Sequence, residues 1–138
     1  MRYLIDTCVF AEYDKPVPQK SVIDWLDALP QENAYVSVIT IGEIQKGITR
    51  MPSSRRKKAL SDFLKDLIER FDNSVLALTT PTMLRWGRLT ADLERKGRKL
   101  PVVDSLLAAT ALEHDLTLVT RNTSDFTPAG VRVLNLWT

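Results

Sequence analysis

Three acidic residues stand where acids are seldom found. Asp6 follows Tyr3-Leu4-Ile5, Glu43 lies within Val38-Ile39-Thr40-Ile41-Gly42-Glu43-Ile44, and Asp104 lies within Leu100-Pro101-Val102-Val103-Asp104-Ser105-Leu106-Leu107. Charged side chains are rarely buried without a partner, and no basic residue adjoins any of the three. Asp125 is a fourth acid of interest, just past another apolar run, Leu116 to Thr120. Carboxylates brought within a few ångströms of one another cannot all ionise unless a cation offsets them. An oxygen-only set without His or Cys suits the hard ions Mg²⁺ or Mn²⁺. Such an ion activates water and stabilises a leaving oxygen in phosphodiester hydrolysis, which is nuclease chemistry.

The four acids can act together only if the fold gathers them. Tyr3-Leu4-Ile5 predicts a short buried strand, and Val22, Trp25, Leu26 and Leu29 form the apolar stripe of a helix ended by Pro30. Ala34 to Val38 predicts a second strand. Thr40 opens a helix to about Arg50, and Leu60, Phe63, Leu64, Leu67 and Ile68 stripe another over roughly 53 to 70. Val75 to Leu78 predicts a strand. Thr80-Pro81 starts a helix that Gly97 stops, and Asp104 to His114 is a further short helix. Strands at Leu116 to Thr120 and Val131 to Leu134 complete the order. Strands alternating with helices imply an α/β fold whose mainly parallel central sheet is covered by helices on both faces. Ligands in such folds sit beyond the carboxyl ends of the strands. Asp6 and Asp125 follow strands there, and Glu43 and Asp104 open helices at the same edge.

Each acid also has an ordinary structural explanation. Asp6 caps a following turn, Asp104 caps the helix from Ser105, Thr40-x-x-Glu43 fits a capping box, and Asp125 suits an Asx turn. Taken singly these are at least as good as the chemical reading. Four acids at one sheet edge are harder to explain so, and a capping acid still faces the cleft. The remaining acids discussed, such as Asp24, Asp27, Asp62, Asp66, Glu69, Asp92 and Glu94, fall on polar helix faces and need only solvent.

Composition narrows the classes. A chain of 138 residues is expected to form one domain, 1–138, with a core large enough to need no staples. Cys8 is the single cysteine and His114 the single histidine, so neither a disulfide framework nor a Cys- or His-based zinc site can be built. His114, at a helix end, reads as a surface residue rather than a base. Apolar runs are far short of the ~20 residues of a membrane span, and Asp6 interrupts any early leader, so a reducing, cytoplasmic setting is expected. The net charge of +2 conceals an uneven distribution. Residues 46 to 58 carry +6 and residues 85 to 99 carry +4, which leaves −8 elsewhere. Clustered bases near acids suit a phosphate backbone held beside a metal site. No zinc-finger, helix-turn-helix or RNP signature accompanies them.

Four segments also carry a family resemblance. Leu4-Ile5-Asp6-Thr7-Cys8-Val9, Ser37-Val38-Ile39-Thr40-Ile41-Gly42-Glu43-Ile44, Asp104-Ser105-Leu106-Leu107-Ala108-Ala109-Thr110-Ala111 and Thr120-Arg121-Asn122-Thr123-Ser124-Asp125-Phe126 resemble, in order and spacing, the motifs of PIN-domain ribonucleases of the VapC/FitB toxin type. The resemblance spans essentially the whole chain and implies a PIN-like three-layer α/β/α fold. It implies that Asp6, Glu43 and Asp104 bind Mg²⁺ or Mn²⁺ together, with an activated water as nucleophile. Asp125 is the choice for the fourth acid, and Asn122 the alternative at that position or a neutral helper. Thr7, Thr40 and Thr120 are candidate helpers that orient water or carboxylate oxygens, although cap hydroxyls would look the same. Lys46, Arg50, Arg85 and Arg88 are the candidate RNA-binding residues. The resemblance further implies an endoribonuclease toxin of a type II toxin–antitoxin system. Its antitoxin would lie in a groove between the paired helices after the second strand, and the toxin would be a homodimer or part of a higher assembly. Two departures stand out: Cys8 replaces the Asn usual after Asp-Thr, and Leu136 replaces the Pro before Trp137. A PIN nuclease without an antitoxin, and a non-catalytic PIN-like module binding RNA or protein, are the competing readings.

Overall fold

Alternation of side chains along very short strands sets the layers of this protein. The computed structural model describes residues 1–137. Among these, β1 (Tyr3–Ile5), β2 (Ala34–Ser37), β3 (Val75–Leu76), β4 (Thr117–Val119) and β5 (Val133–Leu134) form a five-stranded sheet in the order β3-β2-β1-β4-β5. All neighbouring pairs are parallel, with Leu4 opposite Tyr35 on one side and Leu118 on the other. The helices are α1 (Thr7–Ala11), α2 (Lys20–Ala28), α3 (Val38–Arg50), α4 (Arg55–Arg70), α5 (Thr80–Arg95), α6 (Val102–Glu113) and α7 (Thr123–Phe126).

Because successive strand residues point to opposite faces, the sheet divides the core in two. Leu4 and Leu118 join Leu93 of α5, Leu107, Ala108 and Ala111 of α6 and Phe126 of α7. Ile5, Val36 and Val119 face the other way, onto Val9 and Phe10 of α1, Val22 and Leu26 of α2, Leu67 of α4 and Phe71. Each fully buried aliphatic side chain of this kind contributes roughly 1.5–3 kcal/mol. The result is the expected three-layer α/β/α arrangement with a parallel sheet. Helix α6 is apolar nearly all round, with Ser105 and Leu107 through Ala111 buried, as befits a helix packed on both sheet and neighbour. No helix among the described residues is long and apolar enough to cross a membrane.

Several boundaries differ from the sequence expectations, for local reasons. The second strand ends at Ser37, whose hydroxyl accepts a hydrogen bond from the Ile39 N–H at 3.0 Å and caps α3. Val38 is therefore helical, the Thr40–Glu43 capping box is not formed, and Glu43 lies further inside the helix with its carboxylate free for other partners. Thr79, not Thr80, caps α5 through the Thr82 N–H. Helix α6 begins at Val102, which places Asp104 in its first turn rather than at its cap. Helices α1 and α7 are single turns, too short to show a period in the sequence. Gly97 ends α5 as expected: at φ 70° it lets its N–H reach the Glu94 carbonyl at 3.0 Å, and the Arg98 N–H reach the Leu93 carbonyl at 2.8 Å.

Candidate active site

The strand order explains where a site belongs. From β1 the chain moves outward to β2 and β3, then returns to the opposite side of β1 for β4, so the crevice lies at the carboxyl ends of β1 and β4. Asp6 is the first residue beyond β1 and Thr120 the first beyond β4. Asp6 is only 6% exposed. Its N–H continues the sheet to the Val119 carbonyl at 3.0 Å, while Oδ1 accepts from the Thr7 N–H at 2.7 Å, capping α1. Oδ2 accepts from the Thr120 hydroxyl at 2.8 Å, and that hydroxyl accepts from the Asn122 N–H at 3.2 Å. The carboxylate is thus both a cap and a rigidly oriented acid, so the structural and chemical readings coexist.

Thr7 links the second acid to the first. Its hydroxyl donates to Glu43 Oε1 at 2.6 Å, crossing from α1 to α3. Asp104 reports the wider gathering. Burial raises its carboxyl above the usual carboxylate range, and the charges of Asp6, Asp125 and Glu43 raise it further. The four acids named from the sequence therefore share one electrostatic neighbourhood. Among the described residues, no three His, Cys, Asp or Glu side chains stand close enough to grip one ion between them. An all-oxygen set at this wider spacing fits a hard, partly hydrated cation held through one or two carboxylates and water, the usual manner of Mg²⁺, rather than a closed protein cage.

The supporting residues separate. Thr7 and Thr120 hold carboxylate oxygens directly. Thr40 is fully buried, and its hydroxyl has no hydrogen-bond partner. Asn122 uses its backbone amide toward Thr120, and the residue itself is exposed. Cys8 places its sulfur 3.9 Å from Asp6 Oδ2 and accepts from the Arg121 N–H at 3.5 Å. Burial, then the Asp6 charge, pushes the Cys8 thiol up, so it remains a weak donor beside the carboxylate at neutral pH. Among the candidate RNA-binding residues, Lys46 and Arg50 are exposed on α3, three and seven residues beyond Glu43 and so along the same side of the helix. Arg88 is exposed on α5, whereas Arg85 turns to Glu113 at 3.9 Å.

A family model described as the PIN domain matches residues 3–127, and every acid and hydroxyl described above falls inside that span. The chain belongs to the PIN-domain family. Plasmid stability protein StbB of Pseudomonas syringae pv. tomato is 36% identical over 135 residues, 97% of each chain. Toxin FitB of Neisseria gonorrhoeae is 32% identical over 97% of each chain, and the crystal structure of FitAcB from that organism matches with a TM-score of 0.92 over 98% of both chains. VapC ribonuclease Y4jK of Sinorhizobium fredii is 30% identical over 97% of this chain and 96% of its own.

One important residue of this PIN domain carries no mark among the four motifs. Glu12, in the turn after α1, is 2% exposed and fully engaged. Oε1 accepts from the Gln19 N–H at 2.7 Å, and Oε2 meets Lys15 Nζ at 2.9 Å and the Trp137 indole N–H at 3.1 Å. Its signal was an acid between Phe10-Ala11 and Tyr13, the same kind of embedding that marks Asp6.

The raised Asp104 carboxyl has a consequence for stability. A group less readily ionised when folded than when unfolded opposes folding as pH rises through its titration. Asp104→Asn is therefore expected to raise the melting temperature of metal-free protein at neutral pH by roughly 1–4 °C. The gain should shrink as pH falls and be gone at about pH 3, below the ordinary aspartate range, where the carboxyl is protonated in folded and unfolded protein alike. Thermal denaturation in EDTA at both pH values checks this; equal stabilisation at both would mean that charge is not its source.

Proposed function

We propose that this PIN domain is a Mg²⁺- or Mn²⁺-dependent endoribonuclease and the toxin of a toxin–antitoxin pair. The observation that carries the nuclease reading is the placing of a partly buried Asp104 beside the charges of Asp6, Glu43 and Asp125 at the sheet's switch point. Toxin FitB and VapC ribonuclease Y4jK, each matched over nearly their full lengths, support the same activity and role. Asp6, Glu43, Asp104 and Asp125 form the acidic cleft in which one or two of these carboxylates, with water, would hold the ion and the others would offset its charge; when bound it supplies Lewis-acid activation of water and offsets charge at the phosphate. Thr120 fixes one Asp6 oxygen and Thr7 fixes Glu43, so these two acids are pre-oriented before substrate arrives. Lys46 and Arg50, on the Glu43 side of α3, would draw the RNA backbone toward the acids.

The antitoxin would use an apolar groove between α3 and α4. Phe10, Ile44, Ile48, Met51, Leu60 and Phe63 line a hollow of about 270 Å³, with Thr7 and Glu43 also on its wall and the Asp14–Arg56 ion pair beside it. A partner segment lying there reaches the acids directly, so one contact surface would both bind and inhibit. In this reading the toxin acts as a homodimer in the cytoplasm.

Metal removal tests the central claim. Purified protein is expected to cleave RNA with Mg²⁺ or Mn²⁺, to lose at least about 100-fold in EDTA, and to recover when the ion is restored. Undiminished cleavage in excess EDTA would overturn it. Co-purification with a small neighbouring-gene product that silences cleavage would establish the toxin role.

A further inference from the structure

At the end of the basic stretch 85–99, in the loop between α5 and α6, lie positive charges beside Asp125 that are not among the four bases chosen from the sequence, Lys46, Arg50, Arg85 and Arg88. Arg98 and Lys99 line a hollow of about 220 Å³ with Asp125, Ser124 and Pro101, and Pro101 stands three residues before Asp104. Arg98 and Ser124 also line a more open depression of about 600 Å³, joined by Lys96 and Thr127. The shared walls make one groove that runs outward from Asp125. Asp125 is the single acid on its walls among the described residues. Among the described residues Lys96, Arg98 and Lys99 form no ion pair, whereas Arg95 is spent on Asp92 and Arg85 on Glu113.

The backbone of this loop is held in place before any ligand binds. Gly97, at φ 70°, closes the helix end, the Arg98 N–H is fixed to the Leu93 carbonyl at 2.8 Å, and Pro101 leads directly into α6. Arg98 and Lys99 thus spring from an anchored turn rather than from a mobile strand of loop. Three free cations with two hydroxyls along a groove that starts at an active-site acid match a polyanion entering at the metal centre. An extended chain of phosphodiesters fits better than a single anion, because the cations are spread along the groove rather than converged on one point.

We infer that Lys96, Arg98 and Lys99, with Ser124, form a subsite for the phosphate backbone of single-stranded RNA flanking the bond to be cut. This rests on the ribonuclease reading above and adds to it the path of the substrate. Its contacts would bind rather than catalyse, and by phosphate rather than base they would be indifferent to sequence.

The test is anisotropy titration of a fluorescein-labelled single-stranded RNA of about 12 nucleotides in EDTA, so that binding is read without cleavage. The paired substitution Arg98→Ala and Lys99→Ala is expected to weaken binding about tenfold and to flatten the log K against log salt slope by about 1.4, the value for two lost phosphate contacts on single strands. Arg98→Lys with Lys99→Arg should restore both. Loss in the alanine pair with rescue in the exchanged pair supports the subsite even if wild-type protein fails to cleave, in which case only the nuclease reading falls. Unchanged affinity and slope in the alanine pair, or no RNA binding by wild type, would overturn the subsite. Both substitutions are at exposed positions that leave the Gly97 turn intact, and melting temperature monitors the fold.

Discussion

Asp6→Asn is expected to reduce RNA cleavage by at least about 100-fold while leaving the protein folded. Both halves of that outcome follow from the hydrogen bonds. An Asn keeps one carbonyl oxygen for the Thr7 N–H and presents an NH₂ to the Thr120 hydroxyl, which can turn to accept. The α1 cap and the crossing between β1 and β4 therefore survive. What disappears is the negative charge and the second oxygen lone pairs, which are what a hard cation uses. Removing a charge that raises the Asp104 carboxyl should also relieve repulsion in metal-free protein. Cleavage assays on a labelled RNA with a parallel circular-dichroism melt check both points. Retained activity in a folded variant would mean that Asp6 is only a cap; a loss of activity together with a collapsed melt would leave the cap reading standing and remove the support for a catalytic charge.

Glu12→Ala is expected to produce the largest loss of stability outside the aliphatic core, about 2–4 kcal/mol. The substitution strips the Gln19 N–H and the Trp137 indole N–H of their acceptor and leaves Lys15 without its partner. Burial resists ionisation of Glu12, yet Lys15, the Gln19 N–H and Trp137 outweigh it and hold the carboxyl below its usual range. A depressed carboxyl stabilises the fold above its unfolded titration range and ceases to do so as pH falls through the folded value. Urea denaturation at neutral pH measures the loss, and Glu12→Gln should recover roughly half by keeping an acceptor. The same variant should lower activity modestly, because Glu12 ties the turn after α1, which carries Thr7, to the Trp137 region of the chain. A neutral Glu12→Ala would show that solvent replaces all three contacts.

Much of the architecture was legible because the signals were periodic. Val22 with Leu26, and Leu64 with Leu67, mark helices whose inner faces follow from a 3.6-residue repeat, and Gly97 marks a helix end that only a left-handed residue closes well. Single turns were not legible: α1 and α7 are four or five residues long and owe their existence to Asp6 as cap and to packing of Val9, Phe10 and Phe126. Helix starts were displaced for a related reason. Several hydroxyls competed to cap, and which one won, Ser37 over Thr40 and Thr79 over Thr80, depended on where the preceding strand or loop left the chain.

Residue types and apolar surroundings singled out Asp6, Glu43 and Asp104 as candidates, since a charge among buried neighbours requires a reason. The family resemblance placed them in one class, and the match to the PIN domain agrees with it. Charge counting could say that bases cluster in two stretches. It could not say which bases are already neutralised, because Arg85 meets Glu113 only when α5 packs on α6. Pairing is a property of three-dimensional proximity between distant segments, as the Glu12 contacts with Gln19 and Trp137 also show. By itself, then, the sequence determined the α/β layering and which acids stand in apolar company, both of which are written in residue type and local period. Only the tertiary structure decided how those acids are oriented by Thr7 and Thr120 and which cations stay free beside Asp125, because both depend on which side chains the sheet order brings within reach.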